Sequence, residues 1–281
     1  MVEFWSLGFV FVAGFITALA TGLGAVPFFF VSDVSDRWNV ALWGIASGIM
    51  LSASVFGLVL EALGAYVQVS LNGIAVDPIP QRQLLLLGAG LLAGVILVFV
   101  AHGLIEGADV DPKQYAEADF KKLVLILGVL TVHSFPEGVA VGVSFADLGI
   151  EGGTQIFGFV VPVLAIFMTI AISIHNVPEG VAISIPLRSM GVANWKLVWW
   201  SVFSSLPQPI GAVIAFYFVR IAREFLPAGF GFAAGAMIYL VLTEFIPEAR
   251  EIGRGLPGNG RRELFGGIAA GVFAMIPLAF L

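Results

Sequence analysis

The sequence predicts an all-α membrane protein with eight transmembrane helices, and three observations carry that prediction. First, 59% of its 281 residues are hydrophobic and only 11% are charged, against about 25% charged in average soluble usage; mean hydropathy is +1.02. Second, apolar runs near the ~20 residues that cross a bilayer can be placed eight times along the chain. Third, the basic residues concentrate in alternate connections, as topology in a membrane requires. The whole chain, 1–281, therefore reads as a single transmembrane domain with essentially no soluble module. Cysteine is absent, which excludes disulfides and thiolate ligands, so any metal must be held by nitrogen and oxygen. The net charge of −6 is modest and points to no nucleic-acid partner.

The elements follow in order. Span 1 is expected at 4–31. Glu3 precedes it and no Lys or Arg does, whereas a cleavable signal needs a basic start and a small-residue cleavage site; the run is read as a membrane helix. Span 2, 40–63, follows the polar segment Ser32-Asp-Val-Ser-Asp-Arg37, and span 3, 83–105, ends at the charged stretch Glu106–Lys113. Spans 4 and 5 are expected at 122–146 and 157–187, span 6 at 196–219, span 7 at 228–248 and span 8 at 264–281. The odd-numbered connections hold Arg37, Lys113, Lys121, Lys122, Arg188, Lys196, Arg250, Arg254, Arg261 and Arg262; the even-numbered ones hold Arg82, Arg220 and Arg223. By the positive-inside rule the odd connections are cytoplasmic and both termini face outward.

A repeat lies inside this plan. Gly44-Ile-Ala-Ser-Gly-Ile-Met-Leu51 in span 2 matches Gly231-Phe-Ala-Ala-Gly-Ala-Met-Ile238 in span 7, and seventeen positions after each first glycine comes Glu-Ala, at Glu61-Ala62 and Glu248-Ala249. The two spans run in opposite directions. The pattern predicts an inverted repeat, spans 1 to 3 against spans 6 to 8 with the pair 4 and 5 on the pseudo-twofold axis, an arrangement common in secondary transporters. Gly-x-x-x-Gly segments also let helices pack closely, but packing alone does not account for the matched glutamates.

Each of the three histidines is followed four residues later by Glu and Gly: His102-Gly-Leu-Ile-Glu106-Gly, His133-Ser-Phe-Pro-Glu137-Gly and His175-Asn-Val-Pro-Glu179-Gly. Residues four apart share a helix face, so each pair can aim an imidazole and a carboxylate at one point. An ionisable side chain within a membrane is costly and is kept chiefly for function. The prolines at 136 and 178 free the carbonyls of Val132 and Ile174 from helical pairing, and Gly138 and Gly180 allow neighbouring helices to approach. Two imidazoles and two carboxylates form an N2O2 set suited to Zn2+, and also to Fe2+, Mn2+, Co2+ or Cd2+. The bland alternative, two buried histidines satisfied by helix–helix hydrogen bonds, fits one such pair better than two equally spaced ones.

With these motifs the chain resembles the ZIP family of divalent metal transporters, in its GufA-like prokaryotic branch. The resemblance covers essentially the whole chain, including Thr21-Gly-Leu-Gly-Ala-Val-Pro27, the two His-x-x-Pro-Glu-Gly motifs, Ala233-Ala-Gly-Ala-Met-Ile-Tyr239 and Ile246-Pro-Glu248. It implies a bundle of three, two and three helices, both termini outside, and metal moving toward the cytoplasm of a prokaryotic plasma (inner) membrane. It maps a first metal position to His133, Glu137, His175 and Glu179. For a second position the family uses an Asn, a polar residue and a Glu; here Ser134, Asn176 and Gln208 stand there. Losing that carboxylate and one amide predicts one well-formed site rather than a binuclear centre.

Glu61, Glu244 and Glu248, near span ends, are candidate entrance or exit ligands, and Asp147 with Glu151 could concentrate cations outside; solvated helix termini are the plain alternative. His102 and Glu106, with the acidic stretch to Asp119, read equally as an exit or regulatory site and as an interfacial helix end. The leading functional expectation is a divalent cation transporter, zinc foremost, whose partners are metal ions and membrane lipid; Gly-rich faces would permit a homodimer. A metal-dependent intramembrane hydrolase would need a nucleophile and an oxyanion hole that no motif here supplies, and there is no His-Glu-x-x-His; the chain is expected not to be an enzyme. A non-transporting metal sensor would need a signalling module, and none is present.

Overall fold

The computed structural model describes residues 4–31, 34–64, 67–70, 73–76, 78–106, 131, 133–150, 153–189 and 191–277. The chain is mostly helical, and six helical stretches among the described residues are long and apolar enough to cross a membrane: Phe4–Phe29, Asp36–Leu63, Gln81–Leu104, Val163–Arg188, Asn194–Ile221 and Arg223–Gly255.

Helix α1 (Phe4–Leu23) stops at Gly24 and tightens into a 3-10 turn, Val26–Phe29, opened by Pro27. Helix α2 (Asp36–Ser52) starts on Asp36, which complements the positive N-terminal end of the helix dipole, and runs on through a π-helical stretch, Ala53–Val59, to Leu60–Leu63. Helix α3 is Gln81–Glu106 and α4 covers 133–144. Helix α5 (Val163–Ser189) contains Pro178 and Pro186. The expected sixth span is two helices, α6 (Asn194–Ser204) and α7 (Pro207–Ile221); the ladder breaks just before Pro207, which lacks the N–H to continue it. Helix α8 (Leu226–Leu240) also passes through a π-helical stretch, Val241–Phe245, into Ile246–Ile252. Helix α9 (Arg261–Met275) follows Pro257-Gly258-Asn259-Gly260, whose last three residues take φ of 67°, 55° and 66°, a left-handed run that glycine and asparagine tolerate.

Two differences from the sequence reading stand out. The all-α expectation missed two antiparallel hairpins in the connections, β1 (Val67–Ser70) with β2 (Gly73–Val76) and β3 (Thr154–Ile156) with β4 (Phe159–Val161). The expected start of span 5 at 157 is accordingly a hairpin turn, with Phe157 and Gly158 at φ 48° and 84°, both positive as the tightest hairpin turns require; the helix begins only at Val163. The apolar run there belongs to the paired strand, and length alone could not separate strand from helix. The first part of expected span 4, Val132, Lys113, Lys121, Lys122, Asp119 and Glu151 lie outside the described residues.

Small residues set the packing. A Cβ placed on Gly44 or Gly48 would fall 2.5 or 2.2 Å from the carbonyls of Leu264 and Ile268, and one on Gly267 or Gly271 would fall 2.3 Å from those of Ala41 and Ile45. Helices α2 and α9 thus touch backbone to backbone. Helices α3 and α8 do the same: Gly90 and Gly94 would each reach within 2.1 Å of the Ala228 and Phe232 carbonyls, Gly231 and Gly235 within 2.3 and 2.2 Å of those of Leu87 and Leu91. A third group joins α1, α4, α5 and α7 through Gly14 on Pro209, Gly180 on Thr21, and Gly138 and Gly142 on Gln208 and Ala212. In lipid, where apolar surface gives helices little reason to associate, such close contact and the dispersion energy it brings are what hold a bundle together.

Candidate metal centre

The third group carries the two His-x-x-Pro-Glu-Gly motifs. Helix α4 contributes His133, Ser134 and Glu137, α5 contributes His175, Asn176 and Glu179, and all six are at most 1% exposed. One ligand atom from each of Glu137, His175 and Glu179 lies within 4.8 Å of the other two. A tetrahedral ion with ligands at about 2.0–2.2 Å holds them about 3.4 Å apart, so modest side-chain adjustment would close the trio around a cation.

The hydrogen-bond accounting makes this cluster unusual. Glu137 Oε1, both oxygens of Glu179, both nitrogens of His175, His133 Nδ1 and Asn176 Oδ1 are buried with no hydrogen-bond partner in the protein. His175 Nε2 stands 3.6 Å from Glu137 Oε1, too far for a hydrogen bond. Buried polar atoms are nearly always paired, and an unpaired buried carboxylate is among the costliest groups a fold can keep. Lone pairs converging in this way have the chemistry of a cation site. Phe245, on α8, covers it: its ring stacks on the His175 imidazole at 5.4 Å and 15°.

His133 stands beside this trio rather than within it. Its Nε2 is 2.9 Å from Nε2 of His102 on α3, whose Nδ1 lies 3.3 Å from Glu244 Oε1 on the π-helical part of α8. His102 thus contacts two other helices, α4 and α8; Glu106, its expected partner, is the last residue of α3 and its side chain lies outside the described residues.

Of the residues expected at the second position, Ser134 is fully buried, and Asn176 and Gln208 form a network. Gln208 Nε2 donates to Glu137 Oε2 at 2.5 Å. Its Oε1 accepts from Asn176 Nδ2 at 3.0 Å and from Thr17 Oγ1 at 2.6 Å, and Asn176 Nδ2 also donates to the Thr17 carbonyl at 2.7 Å. The sequence reading missed Thr17 and Phe245. A signal for the first existed: Thr17 lies four residues before Thr21, so α1 has a polar stripe in an apolar helix, and Thr21 Oγ1 meets Ser205 Oγ at 2.8 Å.

The outlying carboxylates lie apart from the trio. Glu61 and Asp147 line a cleft with Gln83, Ser144, Pro162 and Pro227, and Asp147 is ion-paired with Arg223. Glu248 is exposed and Glu244 half-buried.

Helices of membrane-crossing length around a buried nitrogen-and-oxygen cluster define an integral membrane protein with a candidate intramembrane site for a divalent cation. The chain belongs to the ZIP family: the sequence model described as ZIP Zinc transporter matches residues 105–278. Among its relatives, the zinc transporter GufA of Myxococcus xanthus is 30% identical over 249 residues, covering 88% of this chain and 91% of GufA. The zinc transporter ZIPB of Bordetella bronchiseptica is 33% identical over 261 residues, 88% of this chain and 74% of ZIPB. A longer protein of Arabidopsis thaliana is 40% identical over 233 residues, 83% of this chain; the chain spans only 33% of that protein's length. The two bacterial relatives are named as transporters, not enzymes.

Proposed function

We propose that this chain is a divalent cation carrier, with zinc as principal substrate and Fe2+, Mn2+, Co2+ or Cd2+ as further candidates, moving metal toward the cytoplasm through a site made by His133, Glu137, His175 and Glu179. The observation that carries the proposal is the convergence of unpartnered lone pairs on Glu137, His175 and Glu179 in a fully buried position. The two carboxylates cancel the charge of one divalent ion, which removes most of its desolvation penalty. Imidazole favours a transition metal over an alkali ion. His102 and Glu244, reached through His133, are the candidate exit ligands; Glu61 and Asp147 line the separate cleft beside Gln83 and Pro227, near the starts of α3 and α8, and suit an entrance.

The architecture we propose for it is a single eight-span transmembrane domain with inverted halves and both termini outside, in a prokaryotic plasma membrane. Two features support the repeat. Gly44 and Gly48 on α2 dock on α9 as Gly231 and Gly235 on α8 dock on α3, and both glycine pairs are followed by a π-helical stretch, at Ala53–Val59 and Val241–Phe245. Such bulges recur at functional positions of helices.

The deciding experiment is zinc influx into liposomes carrying the purified protein and an internal dye, with Glu137→Ala and Glu179→Ala in parallel. Saturable influx abolished by both substitutions is the expected result. Tight zinc binding without influx would sink the carrier reading, and influx surviving both substitutions would put the pathway elsewhere.

A further inference from the structure

Gln208 and Thr17 have no place in the proposed ligand set, yet both are buried against it and joined to Glu137. We infer that Gln208 is a positioning residue: its amide, oriented from the Thr17 carbonyl through Asn176, engages one oxygen of Glu137 and so limits the site to a single divalent ion. The inference rests on the cation site proposed above.

Donor and acceptor chemistry fixes the direction of the chain. The Thr17 carbonyl can only accept, so Asn176 must present its NH2 to it at 2.7 Å. The same NH2 reaches Gln208 at 3.0 Å, which makes that end of Gln208 the oxygen. The other end is then the NH2, and it lies 2.5 Å from Glu137 Oε2. Glu137 is left with one free oxygen, Oε1, beside His175. A carboxylate that bridges two ions gives one oxygen to each; here the second oxygen is engaged by a neutral donor that cannot ligate through its N–H. Charge points the same way. Among the described residues Glu137 and Glu179 are the fully buried carboxylates, enough to neutralise one divalent ion and not two, and an uncompensated charge at membrane depth is expensive. Asn176 Oδ1, buried and unpartnered, remains available as a neutral donor to the first ion.

The test counts zinc bound per chain in purified protein, by equilibrium dialysis and native mass spectrometry, for wild type, Gln208→Glu, Gln208→Leu and Thr17→Val. Wild type should bind one ion. Gln208→Glu, which swaps the N–H for a third carboxylate, should bind two in the same concentration range. Gln208→Leu and Thr17→Val should still keep one ion, because the two buried carboxylates that remain neutralise only one, and bind it about three- to tenfold more weakly, as expected for losing an orienting hydrogen bond. Cobalt absorption should differ between wild type and Gln208→Leu, since freeing Glu137 Oε2 permits a second metal–oxygen bond; a structural role alone would leave the spectrum of bound cobalt unchanged. Two equally occupied ions in wild type, or one ion in Gln208→Glu, would overturn the inference. Zinc failing to bind wild type would instead sink the cation site on which it rests.

Discussion

Glu179→Gln should push stability and metal affinity in opposite directions. Glu179 is 1% exposed and neither of its oxygens has a hydrogen-bond partner in the protein. Its carboxylate lies within 4.8 Å of that of Glu137. At an effective dielectric near 20, two like charges at that spacing repel by about 3 kcal/mol. A cation or a proton relieves that repulsion; glutamine, of the same shape, relieves it permanently. The metal-free variant should therefore unfold at a temperature equal to or a few degrees above metal-free wild type. Metal binding should suffer, because a divalent ion would keep a net positive charge in a buried site. Removing one partner of a buried charge pair costs about 3–5 kcal/mol, or roughly two to nearly four orders of magnitude in affinity. At a zinc concentration of about 100 Kd, binding stabilises wild type by about 2.7 kcal/mol; a Kd some 200-fold higher cuts that to about 0.2 kcal/mol. The assay is thermal unfolding in detergent, read by the intrinsic fluorescence of the six tryptophans, with chelator and with zinc. A variant that keeps the wild-type zinc shift would refute the reasoning, as would a metal-free variant markedly less stable than metal-free wild type.

Two further substitutions test the neighbourhood. His102→Ala removes the imidazole on His133 Nε2 while His133 Nδ1 stays unpartnered; since a ligating histidine is oriented by the bond its other nitrogen makes, zinc affinity should fall about tenfold, and unchanged or tighter binding by calorimetry would mean that Nε2 is the ligand. Gly180→Ala would place a Cβ 1.8 Å from the Thr21 carbonyl oxygen, backbone that cannot swing aside, so the variant should lose about 1–3 kcal/mol or more of stability; a wild-type thermal midpoint would show that α1 and α5 are not held in this contact.

The helical membrane class and the paired motifs were legible in the sequence, and the limits of that legibility have physical causes. A helix in lipid must satisfy its backbone internally, so long apolar runs translate directly into helices, and the i, i+4 spacing of His and Glu forces each motif onto one face. What crosses between helices left weaker traces. That His133 meets His102 on α3, or that Phe245 covers His175, depends on helix rotation and depth, which no spacing encodes. The break between α6 and α7 did leave a trace, Pro207, yet proline is common enough in membrane helices to be read as a kink. The β3–β4 hairpin was hidden because Phe159-Val-Val161 continues the apolar run of α5 and has too few residues to show a period.

The Pro-Glu-Gly core of both motifs gains a joint meaning from the packing. Each glutamate is followed by the glycine that docks its helix: Gly138 on the backbone of Gln208, Gly180 on the backbone of Thr21. The docking partner in the first case is the residue that engages Glu137, and in the second it is one turn from Thr17. The residue that seats the helix thus also sets how far the next helix's polar side chain stands from the ligand. The proposed ligands Glu137, His175 and Glu179, the residues that orient them and these two glycine contacts all belong to α1, α4, α5 and α7, whereas His102, Glu244 and Phe245 come from α3 and α8. The 2.9 Å imidazole contact between His102 and His133 joins the two groups. A displacement of one group against the other would break that contact and lift Phe245 from His175 while leaving Glu137, His175, Glu179 and the Gln208 network intact. Under the proposed function, a cation site confined to one group would let the ion stay bound while its surroundings change, as carriage across a membrane demands.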